Sequence, residues 1–142
     1  MEIKLLSKKD VTESLQEQLS KLYLQLNAEL KQLSLKTILK EEGYIDIAVC
    51  LENNELIGIA MMANYKVVSG YKGMIEDVVV SETHRGRGIG RKLMDILLLQ
   101  AEKRQLNDVL LFSGHHRTAA ISLYKSLGFT LKSSGLYVKK FQ

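Results

Sequence analysis

The sequence predicts an α/β domain in which helices flank a central mixed β-sheet, and three patterns carry that prediction. Two strand-like runs meet at Asn53-Asn54, leucines recur at helical spacing ahead of them, and helical and strand-like segments alternate from Gly88 onward. Taken in order, Ile3 to Leu6 is the length of a short first strand. Between about Asp10 and Glu42, Leu15, Leu19, Leu22, Leu26, Leu30 and Leu33 fall at helical intervals, which predicts two helices broken between Asn27 and Ser34. Asn53-Asn54 then supplies turn residues for a hairpin joining Tyr44–Leu51 to Leu56–Tyr65. A third run, Gly73 to Val80, follows Ser69-Gly70, so three antiparallel strands are expected in succession.

From Gly88 the period changes. Leu93, Leu97 and Ala101 share one helical face with Met94 and Leu98 beside them, and this helix should reach about Arg104. Asp108 to Ser113 is a continuous apolar run with polar flanks, the pattern of a strand buried on both faces and parallel to the strand before the helix. A second helix from Thr118 to Leu127 should stop at Gly128, a residue suited to the left-handed position after a helix. Phe129–Leu131 and Leu136–Phe141 read as closing strands.

Size and composition agree with one domain over residues 1–142: 46% of the residues are hydrophobic and 25% charged. Proline is absent, and no low-complexity stretch marks a linker. Charge interrupts every short apolar run in the first ten residues, and no later segment is apolar for long enough to span a bilayer. The expectation is a soluble, cytoplasmic protein with no membrane partner. The single cysteine, Cys50, lies in an alternating strand pattern and reads as a structural thiol. His84, His115 and His116 show no metal-ligand spacing, so no metal is expected. Asp46 reads as a polar residue at a strand edge.

The net charge of +4 is modest, but Arg85, Arg87, Arg91 and Lys92 crowd into one short stretch. That stretch is Arg85-Gly86-Arg87-Gly88-Ile89-Gly90, placed between the strand ending at Val80 and the helix that follows. A strand, a glycine-rich turn and a helix N-terminus together make an anion site, because unpaired backbone N–H groups and the helix dipole face the same point. Glycine lets phosphate oxygens approach those groups, and the arginines add charge-assisted hydrogen bonds at the rim. Two better-known phosphate loops do not fit. The dinucleotide pattern needs a glycine where Arg91 stands, and no glycine-lysine-Ser/Thr follows for a P-loop. Nucleic-acid binding would need an extended basic face and exposed aromatic platforms, which the sequence lacks.

These residues resemble the GNAT acetyltransferases. The family's acetyl-CoA loop, Gln/Arg-x-x-Gly-x-Gly/Ala, is matched by Arg85, Gly88 and Gly90, and Ala120-Ile121-Ser122-Leu123-Tyr124-Lys125-Ser126-Leu127-Gly128-Phe129 is similar to its Ala-x-x-x-Tyr-x-x-x-Gly-Phe block. The resemblance is strong from Met74 to Phe129 and weaker before Tyr44. Ile75 to Val80 is also similar to the equivalent strand of glucosamine-phosphate N-acetyltransferases. The implied fold has its sheet split where the strands ending at Val80 and Ser113 diverge, with the cofactor in the split. The implied reaction is direct transfer of acetyl from acetyl-CoA to a primary amine of a small molecule.

On that reading Arg85, Gly86, Arg87, Gly88, Ile89, Gly90 and Arg91 hold the pyrophosphate, and the pantetheine arm pairs with the strand edge at Val78 and Val80. Arg117 stands where many members have a cofactor-binding asparagine, and an arginine there reaches a phosphate instead. An alkyl ammonium is almost wholly protonated at neutral pH, so a base is needed. Glu76 and Asp77 are the carboxylates on the strand entering the loop, and alternation lets one of them face the reaction centre unless a bulge intervenes. Glu76 is the preferred base. A backbone N–H near Val78 suits the developing oxyanion, and Tyr124 matches the family tyrosine that protonates the departing thiolate. A CoA-binding sensor without catalysis, acetylation of a protein amine, and the oligomeric state are left open, dimers being the commonest soluble assembly.

Overall fold

A computed structural model describes residues 1–141. The chain falls into two compact units, Met1–Phe112 and Ser113–Gln142. The first contains a five-stranded sheet in the order β1-β2-β3-β4-β5, formed by Glu2–Leu5, Ile45–Glu52, Glu55–Val67, Gly70–Val80 and Asp108–Leu110. The first four strands pair antiparallel with their sequence neighbours, and β5 joins β4 in parallel. The hairpin expected at Asn53-Asn54 is present, and both residues hold left-handed φ values of 51° and 64°. Such a two-residue turn has the twist that antiparallel strands need, and asparagine tolerates it.

Three helices flank this sheet. Helix α1, Glu13–Tyr23, starts where the Thr12 hydroxyl accepts the Leu15 N–H at 3.1 Å. The short helix α2, Leu35–Ile38, is capped in the same way by Ser34. Leu15, Leu19 and Leu22 from α1 and Leu35 from α2 pack with Ile47, Val49, Ile59, Met61 and Val79 of the sheet in one buried cluster. Helix α3, Ile89–Lys103, buries Ile89, Leu93, Met94, Leu97 and Ala101. A methyl group added at Gly58 would meet Ile89 at 3.0 Å and Leu93 at 3.2 Å, so the absence of a side chain there lets α3 lie directly on β3. Cys50 is fully buried, and burial raises its thiol pKa, consistent with an unreactive core residue.

The structure corrects three expectations. Asp46 is not at a strand edge: it is 7% exposed on the second strand of the sheet and accepts from Arg104 at 2.7 and 2.9 Å, Asn64 at 2.9 Å and Gln100 at 3.2 Å. Its place near the start of an alternating run suggested a strand edge, whereas the Arg104 guanidinium just after α3 makes its burial tolerable. The run from Asp108 to Ser113 forms a strand only to Leu110, with Val109, Leu110 and Leu111 half-buried and Phe112 exposed. In the second unit, helix α4 spans Thr118–Ser126 and ends before Gly128, which takes the expected left-handed φ of 95°. The closing strands at 129–131 and 136–141 do not form. Leu131, Leu136, Tyr137, Val138 and Phe141 are all more than two-thirds exposed. An alternating pattern makes a strand only where a neighbouring edge accepts its hydrogen bonds, and no ladder includes 129–141 among the described residues. No helix among the described residues is long and apolar enough to cross a membrane.

Candidate functional site

The β4 strand carries the feature that organises the site. Ile59 faces Val79 and Met61 faces Glu76, so Asp77 and Val78 together oppose the single residue Ala60. This is a bulge, and Asp77 adopts the left-handed φ of 50° that it requires. Strict alternation would send Glu76 and Asp77 to opposite faces; the bulge brings both charges to bear on the Tyr23 phenol at the end of α1. The Tyr23 hydroxyl donates to Asp77 Oδ1 at 3.4 Å. Burial raises the Tyr23 pKa, and the charges of Asp77 and Glu76 raise it further. Glu76, though exposed, is itself pushed upward, first by partial desolvation and then by Asp77. Burial also raises Asp77, against the hydrogen bond from Tyr23. An upward-shifted carboxylate is a better proton acceptor near neutral pH.

Beyond the bulge, β4 has β3 on one side only. β5 pairs with it at Lys72, Gly73 and Met74, and among the described residues the edge from Glu76 to Val80 has no ladder partner on the β5 side. Asn107 fixes this divergence at its closed end, where its side chain accepts the Tyr71 N–H at 2.8 Å and its own N–H donates to the Tyr71 carbonyl at 2.7 Å. At the open end, Ser81 donates back to Ile57 and a single 3-10 turn, Glu82–His84, leads into the arginine loop. Gln25 accepts the Glu82 N–H at 3.1 Å, tying the turn to the segment after α1.

Gly86 and Gly88 have φ values of 80° and 74°, and Gly88 is the residue that caps α3. A Cβ at either position would meet nothing within 4 Å. Space is therefore open beside backbone that only glycine adopts readily, directly at the N-terminus of a helix of 15 residues. The arginines differ from one another. Arg85 Nε reaches the Val80 carbonyl at 3.4 Å, and Arg91 lies in the first turn of α3. Arg87 turns away to Glu52 at the end of β2, donating at 2.7 and 3.2 Å, and His84 Nε2 lies 3.4 Å from the same carboxylate. The Arg87 hydrogen bond holds the Glu52 pKa below its ordinary value.

In the second unit, Arg117 precedes α4 and Tyr124 lies on it. The Tyr124 ring meets Phe129 edge-on at 6.1 Å, and the Phe129 N–H closes the helix on the Tyr124 carbonyl. Burial raises the Tyr124 pKa and Arg117 opposes the rise, which leaves a phenol protonated at neutral pH.

Residues 8–129 match the model of the Acetyltransferase (GNAT) family. The chain belongs to that family. It is 31% identical over 90 residues to the L-methionine sulfoximine/L-methionine sulfone acetyltransferase of Salmonella typhimurium, covering 63% of this chain and 52% of the relative. It is 38% identical over 66 residues to the streptothricin acetyltransferase of Escherichia coli, covering 46% and 38%. The chain thus spans about half the length, or less, of these two curated relatives. A predicted acetyltransferase of Clostridium acetobutylicum, solved with acetyl-CoA, has the same fold, with a TM-score of 0.73, 21% identity and coverage of 97% of this chain and 95% of that one.

Three residues around the site escaped the sequence reading. Tyr23 is hidden in the leucine period of α1, Gln25 lies just beyond it, and Glu52 resembles any polar residue ahead of a turn. The signal for Glu52 was its place beside a hairpin turn in a sheet whose fourth strand leads into a loop rich in arginine. Tyr23 gave none.

Proposed function

We propose that this chain transfers the acetyl group of acetyl-CoA directly to a primary amine of a small molecule, in the cytoplasm. The observation that carries the reading is the course of β4. One strand presents a pair of carboxylates at a bulge, leaves its edge open, and runs into a glycine loop that caps a helix.

The open space beside Gly86 and Gly88 supports a pyrophosphate site there. Backbone N–H groups of Gly86, Gly88, Ile89 and Gly90 would hold it, with Arg85 and Arg91 adding positive charge and Arg117 reaching a further phosphate. The edge at Val78 and Val80 would take the pantetheine amides as an added strand does. Bound acetyl-CoA supplies an activated thioester. Glu76 accepts the amine proton, directly or through water, and Asp77 keeps the surroundings negative. The Val78 N–H donates to the carbonyl oxygen as that oxygen gains charge, and Tyr124 gives its proton to the departing sulfur. The small-molecule acceptor is supported by the names of two relatives, the L-methionine sulfoximine/L-methionine sulfone acetyltransferase and the streptothricin acetyltransferase.

A panel of primary amines assayed for CoA thiol release tests the reading. Turnover with at least one small amine is expected. Tight acetyl-CoA binding without turnover of any amine would make the chain a CoA sensor instead.

A further inference from the structure

We propose that Tyr23 is a positioning residue for the acceptor side of the site, its hydroxyl holding the Asp77 carboxylate in place at the bulge beside Glu76. The inference rests on reading β4 as the acetyl-transfer centre. Three observations lead to it. Asp77 stands in left-handed backbone at a φ of 50°, a conformation that a non-glycine residue keeps only where the surroundings fix it. The Tyr23 hydroxyl, 54 residues away in sequence, makes the one side-chain hydrogen bond to Asp77 among the described residues. Tyr23 is also the last residue of α1, where the chain leaves the helix beside β4, so its place is set by the buried Leu15, Leu19 and Leu22 rather than by Asp77.

The titratable groups facing Asp77 are few. Tyr23 approaches from α1 and Glu76 from the same strand, β3 offers Ala60, and no salt bridge reaches Asp77 among the described residues. Two neighbouring carboxylates without a cation tend to share a proton. A neutral phenol that donates to one of them favours the charged form, and so keeps two negative charges available to draw in an ammonium acceptor. Glu76 then acts on the amine proton, while Tyr23 never touches the reacting atoms.

The test is a carbon-13 titration of side-chain carboxyls in the full chain, parent against Tyr23→Phe, with Asp77 assigned by its loss in Asp77→Asn. The Asp77 midpoint should rise by about half a unit to one unit in Tyr23→Phe, as expected for removal of a hydrogen bond to a charged group. The reciprocal titration follows the phenols by ultraviolet absorbance, and in Asp77→Asn the Tyr23 midpoint should fall toward its ordinary value. An Asp77 midpoint that stays in place or falls would overturn the assignment. Should Tyr23→Phe not fold, an unmoved Tyr23 midpoint in Asp77→Asn overturns it alone. Neither titration needs an acceptor or acetyl-CoA, so failure here is separable from failure of the acetyl-transfer reading.

Discussion

Arg87 and Glu52 form a two-point ion pair, with guanidinium to carboxylate distances of 2.7 and 3.2 Å, that anchors the glycine loop to the end of β2. The charge of Arg87 is therefore largely matched by protein, although the sequence groups it with Arg85 and Arg91 as a phosphate ligand. Arg87→Ala should weaken acetyl-CoA binding by less than about threefold, and Arg85→Ala by about tenfold. Calorimetry on the two variants checks the order, and equal losses would return Arg87 to the phosphate.

Gly88→Asp should abolish acetyl-CoA binding, because it puts a side chain and a negative charge into the space at the α3 N-terminus. Gly88→Ala separates backbone strain from charge. With φ at 74°, alanine costs about 1 kcal/mol of stability, visible as a lower Tm, but should retain measurable binding. A folded Gly88→Asp protein that binds acetyl-CoA like the parent would remove the loop from the site.

Tyr124→Phe keeps the ring against Phe129 and removes the proton. With an amine found by the screen, kcat should fall by about a hundredfold to ten-thousandfold while acetyl-CoA affinity changes little. A kcat unchanged under chemistry-limited conditions would leave Tyr124 a packing residue.

The two carboxylates separate by the sign of their pH effects. Glu76→Gln should lose most activity near neutral pH, and the deficit should shrink as the amine approaches its own pKa and deprotonates without help. Asp77→Asn should instead move the rising limb of kcat/KM to lower pH. Glu76 is raised by partial desolvation and then by Asp77, a base works only when deprotonated, and removing the neighbouring charge lowers its pKa. A pH-independent ratio between parent and Glu76→Gln would assign Glu76 to binding rather than proton transfer.

The buried pair far from this chemistry predicts acid behaviour. Burial pushes the Asp46 pKa up, but hydrogen bonds from Arg104, Asn64 and Gln100 outweigh it and hold the carboxyl below its unfolded value. A carboxyl with a lowered folded pKa contributes stability that is complete above about pH 4 and is lost as pH falls through the folded pKa. Asp46→Ala should therefore cost about 3 kcal/mol at pH 7 by denaturant melts, with the cost shrinking below about pH 4. A penalty independent of pH would mean that packing alone is lost.

Much of the fold was legible in the chain because its signals are local. The Asn53-Asn54 turn, the leucine face of α3 and the stop at Gly128 each depend on a few consecutive residues, and each stands where the pattern put it. The errors have a common origin in partners far away in sequence. Asp46 read as a polar residue at a strand edge because its partner Arg104 lies 58 residues on, and the segments at 129–131 and 136–141 read as strands because alternation says nothing about whether an edge is there to receive them. The loop was readable from its glycines. The bulge at Asp77 was not, because its cause is the register between β3 and β4, which no stretch of one strand encodes.

The way β5 joins the sheet bears on how the cleft comes into being. The pairings of β2 with β3 and of β3 with β4 are hairpins that can zip up from their turns, whereas β5 must return after α3 and holds β4 by only three residue pairs. Loop-closure entropy makes such a join slow to form and weak once formed. The meander can therefore assemble before β5 joins it, which makes the pairing at Lys72, Gly73 and Met74 a late step of folding and puts the carboxylates of the bulge on the part of the sheet that forms early.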